Sequence, residues 1–136
     1  MIRDTKTSFE RKAKGETLQR DVATLIKIHF PTIADFITSA PMSSHGEDVR
    51  VAPSAREQFP FSVECKISEK GFAKAYAAYE QAQRQTNNLA SENSVCPAAI
   101  IQQGKQRPLV VLDAEDWLKF IKRLPSAANS EEEPTS

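Results

Sequence analysis

Between Phe61 and Ser68 the chain alternates: Phe61, Val63, Cys65 and Ile67 are apolar, while Ser62, Glu64, Lys66 and Ser68 are polar. A period of two belongs to a β-strand with one buried face. The run therefore predicts a strand whose other face carries Glu64 and Lys66, about 7 Å apart at their Cα atoms. A carboxylate and an ammonium side by side on a rigid strand can hold a divalent cation and steer a charged substrate. Sixteen residues upstream of Glu64, Asp48 heads a second β-prone run, Val49-Arg50-Val51.

The remaining bounds are broad. A chain of 136 residues suits one domain with a single core. Its 18 basic and 18 acidic residues cancel, so net charge does not announce a nucleic-acid binder. Their distribution is uneven. Arg3, Lys6, Arg11, Lys12 and Lys14 crowd the start against Asp4 and Glu10, and Glu131, Glu132 and Glu133 stand near the end. The expected organisation is a flexible basic arm over 1–13, a folded domain over 14–125 and a disordered acidic tail over 126–136. Such polarity suits a protein that meets a polyanion at its N-terminal side, and two simply solvated ends read equally well.

No apolar run approaches the roughly 20 residues that cross a bilayer, and the N-terminus lacks the apolar core of a signal peptide, so a cytosolic location is expected. Two cysteines make neither a disulfide framework nor a zinc site, and Cys65 falls on the apolar parity of its run, as a small buried hydrophobe does.

An amphipathic helix is predicted from Gly15 or Glu16 to His29, with Leu18, Val22, Leu25, Ile26 and His29 on one stripe, ended by Pro31. Ile33–Ile37 fits a strand or a last helical turn. Ser39–Gly46 reads as loop, Asp48–Ala52 as a strand and Pro53–Pro60 as the link to the Phe61–Ser68 strand. A second helix is expected over Phe72–Leu89, with Phe72, Tyr76, Tyr79 and Ala82 or Gln83 along one side. Ala98–Gln102 and Pro108–Leu112 form a plausible hairpin around Gly104. Asp113 suits the N-cap of a closing helix to about Leu124, with Trp117, Leu118, Ile121 and Leu124 inward and Pro125 as its stop. Helices and strands in this order predict an α/β or α+β layer, with helices over a mixed sheet.

Hard divalent cations such as Mg²⁺ take oxygen ligands, commonly one or two carboxylates supplemented by phosphate and water. Asp48 and Glu64 on neighbouring strands supply two, and the backbone carbonyl of Cys65 could add a third oxygen. Lys66 could orient an attacking water or neutralise charge that develops on phosphorus.

The constellation Asp48…Glu64-Cys65-Lys66 resembles the active-site signature of the PD-(D/E)XK nuclease superfamily, an aspartate on one strand and E-x-K on the next. The opening Lys14-Gly15-Glu16-Thr17-Leu18-Gln19-Arg20 looks like the K-G-x-x-x-E-R start of Holliday-junction-resolvase-like members. Gly46-Glu47-Asp48-Val49, Phe59-Pro60 and Arg107-Pro108-Leu109-Val110-Val111 also look like small resolvase-type nucleases of phage origin. The resemblance implies a restriction-endonuclease-like α-β-β-β-α-β core and a Mg²⁺- or Mn²⁺-dependent endodeoxyribonuclease, directed at branched DNA and working as a homodimer. Asp48, Glu64 and the Cys65 carbonyl would hold the metal, with Lys66 as electrostatic partner. A glutamine on the helix after E-x-K often faces the scissile strand in relatives, which points to Gln81 here.

Departures mark the accessory positions. Glu47 replaces the proline that often precedes the aspartate and adds a possible ligand. Gln19 stands where some relatives carry a metal-shell glutamate, with Glu16 one turn away as a stand-in. His45 and Ser44 could approach a phosphate, although loop residues of these types are more often simply exposed, and Ser43 shares that reading. Lys14, Arg20, Lys70, Lys74 and Arg84 could line a DNA groove, each phosphate contact adding about one unit to the salt dependence, or serve as solubilising charges. Glu64 and Lys66 alone fit an exposed salt bridge as well. Two other functions therefore stay open: a catalytically silent module of the same fold that binds DNA or protein, and a small interaction protein without nucleic-acid affinity.

Overall fold

The computed structural model describes residues 5–41, 44–89 and 95–125. The expected acidic tail and Ser43 lie outside them. The described residues divide into two compact units, one built from the chain up to Ile67 and from Leu118 onward, the other from Ser68–Trp117. The sequence alone reads as one domain over 14–125.

In the first unit, helix α1 is Thr5–His29, so it starts well ahead of Gly15. Residues 5–13 hold neither Gly nor Pro, and in place of a loose arm they continue the helix. Lys27 and His29 in its last turn complement the negative end of the helix dipole. The buried face of α1 carries Gln19, Ala23 and Ile26, beside His29, and Phe30 just past its end is buried too. Leu18, Val22 and Leu25 of the expected stripe are only half-buried. The helix is turned so that small Ala23 faces inward as α1 packs on the following strands.

A 3₁₀ turn, Pro31–Phe36, leads into β1 (Ile37–Ser39), so both readings of Ile33–Ile37 describe part of it. Strand β2 (Val49–Val51) pairs antiparallel with β1 in the register Ile37↔Val51, Thr38↔Arg50, Ser39↔Val49. Ile37, Val49 and Val51 point into the core, whereas Thr38 and Arg50 are exposed. A second 3₁₀ turn, Pro53–Ala55, carries the chain to Phe59, which is fully buried. Its ring meets Phe30 edge-on at 5.7 Å between centroids and lies 5.5 Å from Phe61. The centre of this small core is therefore aromatic.

The strand expected over Phe61–Ser68 is reduced to a single bridge, Val49↔Val63. Its alternation survives up to Lys66: Phe61, Val63 and Cys65 are half-buried, while Ser62, Glu64 and Lys66 are exposed. It fails at Ile67, which is 50% exposed. The physical reason lies in the hydrogen bonds. Asp48 N–H donates to the Val63 carbonyl at 3.0 Å, but the Cys65 N–H, which a ladder would direct to a backbone oxygen, is taken by the Asp48 side chain.

In the second unit, Ser68 Oγ accepts the Gly71 N–H at 2.7 Å and the Lys70 N–H at 3.3 Å, closing a tight turn. A Cβ on residue 71 would stand only 2.7 Å from that oxygen, so a side chain there would push the Ser68 hydroxyl out of the turn. Helix α2 (Ala73–Asn88) follows and packs on β3 (Ala99–Ile101). No residue of α2 is fully buried. Tyr79 is half-buried, whereas Tyr76 and Phe72 of the expected inward stripe are exposed. The hairpin forms as read: β3 pairs antiparallel with β4 (Leu109–Val111), Ala99 opposite Val111.

Helix α3 (Ala114–Arg123) crosses the boundary between the units. Asp113 caps it, its Oδ1 accepting the Asp116 N–H at 2.9 Å. Leu118 and Ile121 are buried and Trp117 half-buried, but Leu124 lies beyond the helix end and is exposed, contrary to expectation.

The architecture is α+β. The sheets are two antiparallel pairs, β1-β2 and β3-β4, in place of the expected mixed sheet among the described residues. No helix among these residues is long and apolar enough to cross a membrane.

Phe59→Ala should lower the unfolding free energy by roughly 3–5 kcal/mol, the usual cost of emptying a well-packed aromatic site. Urea denaturation checks this, and a loss below about 1 kcal/mol would mean that the Phe30–Phe59–Phe61 cluster is not the centre of the core.

Candidate functional site

The site is assembled where the loop before β2 meets the Val63–Ile67 segment. Gly46 opens it with φ +98°, a left-handed conformation that side chains with a Cβ rarely adopt, and this reversal sends Glu47 and Asp48 toward β2. Glu47 is fastened first. Both of its carboxylate oxygens accept from Arg56 Nη2 at 2.5 Å, while Nη1 of the same guanidinium donates to the Phe61 carbonyl at 2.7 Å. The bond from Arg56 holds the Glu47 carboxyl below the usual carboxylate range, against the opposing push of burial and with help from Ser62. The carboxylate that the sequence offered as an extra ligand is thus engaged by an arginine.

Asp48 is held at three points. Its N–H donates to Val63, its carbonyl accepts the Ala40 N–H at 2.8 Å, and its Oδ2 accepts the Cys65 N–H at 2.7 Å. A hydrogen bond to a carboxylate is short and about twice as strong as a neutral one. Cys65 registers both acids of the signature: burial pushes its thiol up, and the negative charges of Asp48 and then Glu64 push it further. The Asp48 carboxylate meets the backbone of Cys65, and Glu64 precedes Cys65 in the chain. Lys66 Nζ stands 3.4 Å from Glu64 Oε1, both side chains largely exposed at 74% and 60%. An ion pair this exposed adds little stability, below about 1 kcal/mol, and can open readily to take other partners.

Asp48, Glu64, Cys65 and Lys66 are thus brought together on one short stretch of the first unit. On α1, Glu16 pairs with Arg20 at 3.1 Å, one helical turn apart on an exposed face. Gln19 points the other way, 7% exposed, and its Oε1 has no hydrogen-bond partner among the described residues. A groove of about 320 Å³ lined by Ala13, Lys14, Thr17, Leu18, Asp21 and Ile67 sets this part of α1 beside the residue that follows Lys66. His45 is exposed, and Ser44 turns its hydroxyl onto the Pro41 carbonyl at 2.6 Å. Gln81, Lys74 and Arg84 are exposed on α2, and Lys70 on the turn before it, all in the second unit. Arg56 is the residue that sequence reading missed. It lies in a Pro-Ser-Ala-Arg connection, and no spacing ties it to the signature.

Among the described residues no three or more His, Cys, Asp or Glu side chains cluster as a metal-holding group. The donors at this segment are all oxygen: the Asp48 carboxylate, bonded to the Cys65 amide, and the Glu64 carboxylate and Cys65 carbonyl, adjacent in sequence. That is the kind of set Mg²⁺ takes when phosphate and water complete its shell. A buried amide oxygen without a partner among the described residues, Gln19 Oε1, is a further hard donor in the same unit. By these chemical criteria the residues fit a hard divalent cation.

In comparison with known proteins, the chain matches no family model and shows no significant similarity to a curated protein or a solved structure.

Gln19→Met keeps the length of the side chain and removes its unsatisfied carbonyl. Because such a buried group costs about 1–3 kcal/mol, this variant should unfold at a higher temperature than the parent in metal-free buffer. A lower midpoint in a thermal melt would show that the amide is satisfied in solution.

Proposed function

We propose that this chain is a divalent-cation-dependent endodeoxyribonuclease with a restriction-endonuclease-like core. The observation that carries the reading is the 2.7 Å bond from the Cys65 N–H to Asp48 Oδ2, which joins the aspartate of one segment to the E-x-K of the next. The order helix, β1, β2, Val63 bridge, α2, β3 follows the α-β-β-β-α-β succession, with the third strand present as one bridge. The Glu64-Lys66 pair on the exposed side of that segment supports the same reading.

Asp48, Glu64 and the Cys65 carbonyl would hold Mg²⁺ or Mn²⁺. When bound, such an ion supplies Lewis-acid activation of the phosphodiester and of the attacking water. The Asp48 carboxylate is kept aimed by the Cys65 amide, which spends one oxygen and leaves the other as a ligand atom. Glu64 supplies the second anionic donor from an exposed position that a DNA strand can reach. Lys66 places a positive charge beside Glu64, where it can favour the anionic transition state and orient water. Lys14, which lines a groove with Ile67, is a further positive charge in the first unit for a phosphate backbone. The sequence resemblance alone assigns Gln81, in the second unit, to the scissile phosphate. Preference for branched DNA and action as a homodimer follow from the sequence resemblance alone and complete the proposal.

The test is cleavage of linear, flapped and four-way DNA in Mg²⁺ or Mn²⁺, with EDTA controls. The variants are Asp48→Asn and Glu64→Gln. Asparagine retains an acceptor for the Cys65 amide, which Asp48→Ala would leave orphaned at a cost of about 1–3 kcal/mol. Each variant should lower the cleavage rate more than about 100-fold, beyond the usual loss from removing an outer-shell partner, while its thermal midpoint stays near the parent's. Parental rates in either variant sink the assignment. Junction binding in EDTA without cleavage in either metal would instead favour the silent binding module.

A further inference from the structure

Arg56 lies in the link between β2 and the Val63–Ile67 segment, with its side chain 36% exposed. One guanidinium makes contacts on both sides of the candidate site. Nη2 grips the carboxylate of Glu47, the residue before Asp48, and Nη1 holds the carbonyl of Phe61, three residues before Glu64. Guanidinium is planar and carries its donors in a fixed fork, so two partners held at once are held at a fixed angle to each other. A lysine, with a single rotating ammonium, cannot impose that angle.

We propose that Arg56 is the positioning residue of the site. It locks the Asp48 loop against the strand-like segment that carries Glu64, and so fixes the junction between Asp48 Oδ2 and the Cys65 amide. This inference rests on the nuclease reading for its functional consequence.

The backbone alone leaves this junction lightly tied. Beyond Val49↔Val63 there is no bridge between β2 and the segment, and the link between them is a short 3₁₀ turn followed by irregular chain. The Arg56 fork supplies the second tie that a missing ladder would have provided. Its Nη2 and one Nη1 hydrogen are engaged by Glu47 and Phe61 and its charge is paired with a carboxylate, unlike an arginine whose charge is open to a phosphate.

The test compares the parent with Arg56→Lys, Arg56→Gln and Glu47→Gln in two measurements. The first is amide hydrogen exchange at Cys65 by NMR, taken relative to the core amide of Ile26, so that global destabilisation cancels. The second is Mn²⁺ affinity by calorimetry. Arg56→Gln should raise the Cys65-to-Ile26 exchange ratio at least about tenfold and weaken Mn²⁺ binding by roughly 10–100-fold, the range for outer-shell partners of a metal site. Arg56→Lys should fall between it and the parent. If Arg56→Gln does not fold, Arg56→Lys and Glu47→Gln decide by the same ratio.

An unchanged ratio together with parental Mn²⁺ affinity in these variants overturns the inference and leaves the nuclease reading standing. Failure of the parent itself to bind Mn²⁺ overturns the nuclease reading and, with it, the positioning role.

Discussion

The geometry of the first unit turns on one hydrogen bond, from the backbone amide of Cys65 to the carboxylate of Asp48. In an ordinary sheet that amide would meet a carbonyl, and the side chain of Asp48 would be left to water. Here the side chain substitutes for the neighbouring backbone. The exchange stops the ladder after a single bridge and draws an anionic group against the E-x-K segment. A carboxylate bound in this way loses little of its charge, so it remains an electrostatic centre while doing a structural task. Burial first, and then the charges of Asp48 and Glu64, push the Cys65 thiol up.

Around this bond the unit is built from short pieces held by side chains more than by long ladders. β1 and β2 have three residues each, and the link after them is shaped by Phe59 against Phe30 and Phe61. The aromatic cluster fixes where the link returns, and the Arg56 fork fixes how the returning chain faces Glu47. Packing and charge thus act at different points of the same segment. Gln19 is the exception to this economy, a polar group facing inward on the core stripe of α1 without a protein partner among the described residues.

Much of this was readable in the residues. The alternation of Phe61–Lys66 correctly separated half-buried from exposed side chains, because it depends only on the pleat of an extended chain. The β3–β4 hairpin and the Asp113 cap also follow from local chemistry, and both formed. Where the reading failed, non-local contacts decided. No local pattern reveals that a carboxylate will take a ladder amide, so a full strand was expected where one bridge stands. The stripe on α1 kept Ile26 and His29 but was misjudged by about one residue ahead of them, because Gln19 and Ala23 are buried where Leu18 and Val22 were expected. Arg56 was invisible because its two partners converge on it only after the chain has folded back. The tyrosines of α2 show the reverse error: helical spacing was present, but nothing fully covers that helix.

The Val63–Ile67 segment, extended yet bridged at one residue, is also an open β edge, with no further strand on its far side among the described residues. Such edges invite a neighbouring molecule to add a strand and begin aggregation. Charged side chains, lysine above all, are the common guard against this. Glu64 and Lys66, whatever else they do, therefore also protect solubility, and a substitution that neutralises both at once would expose a sticky backbone as well as an emptied site.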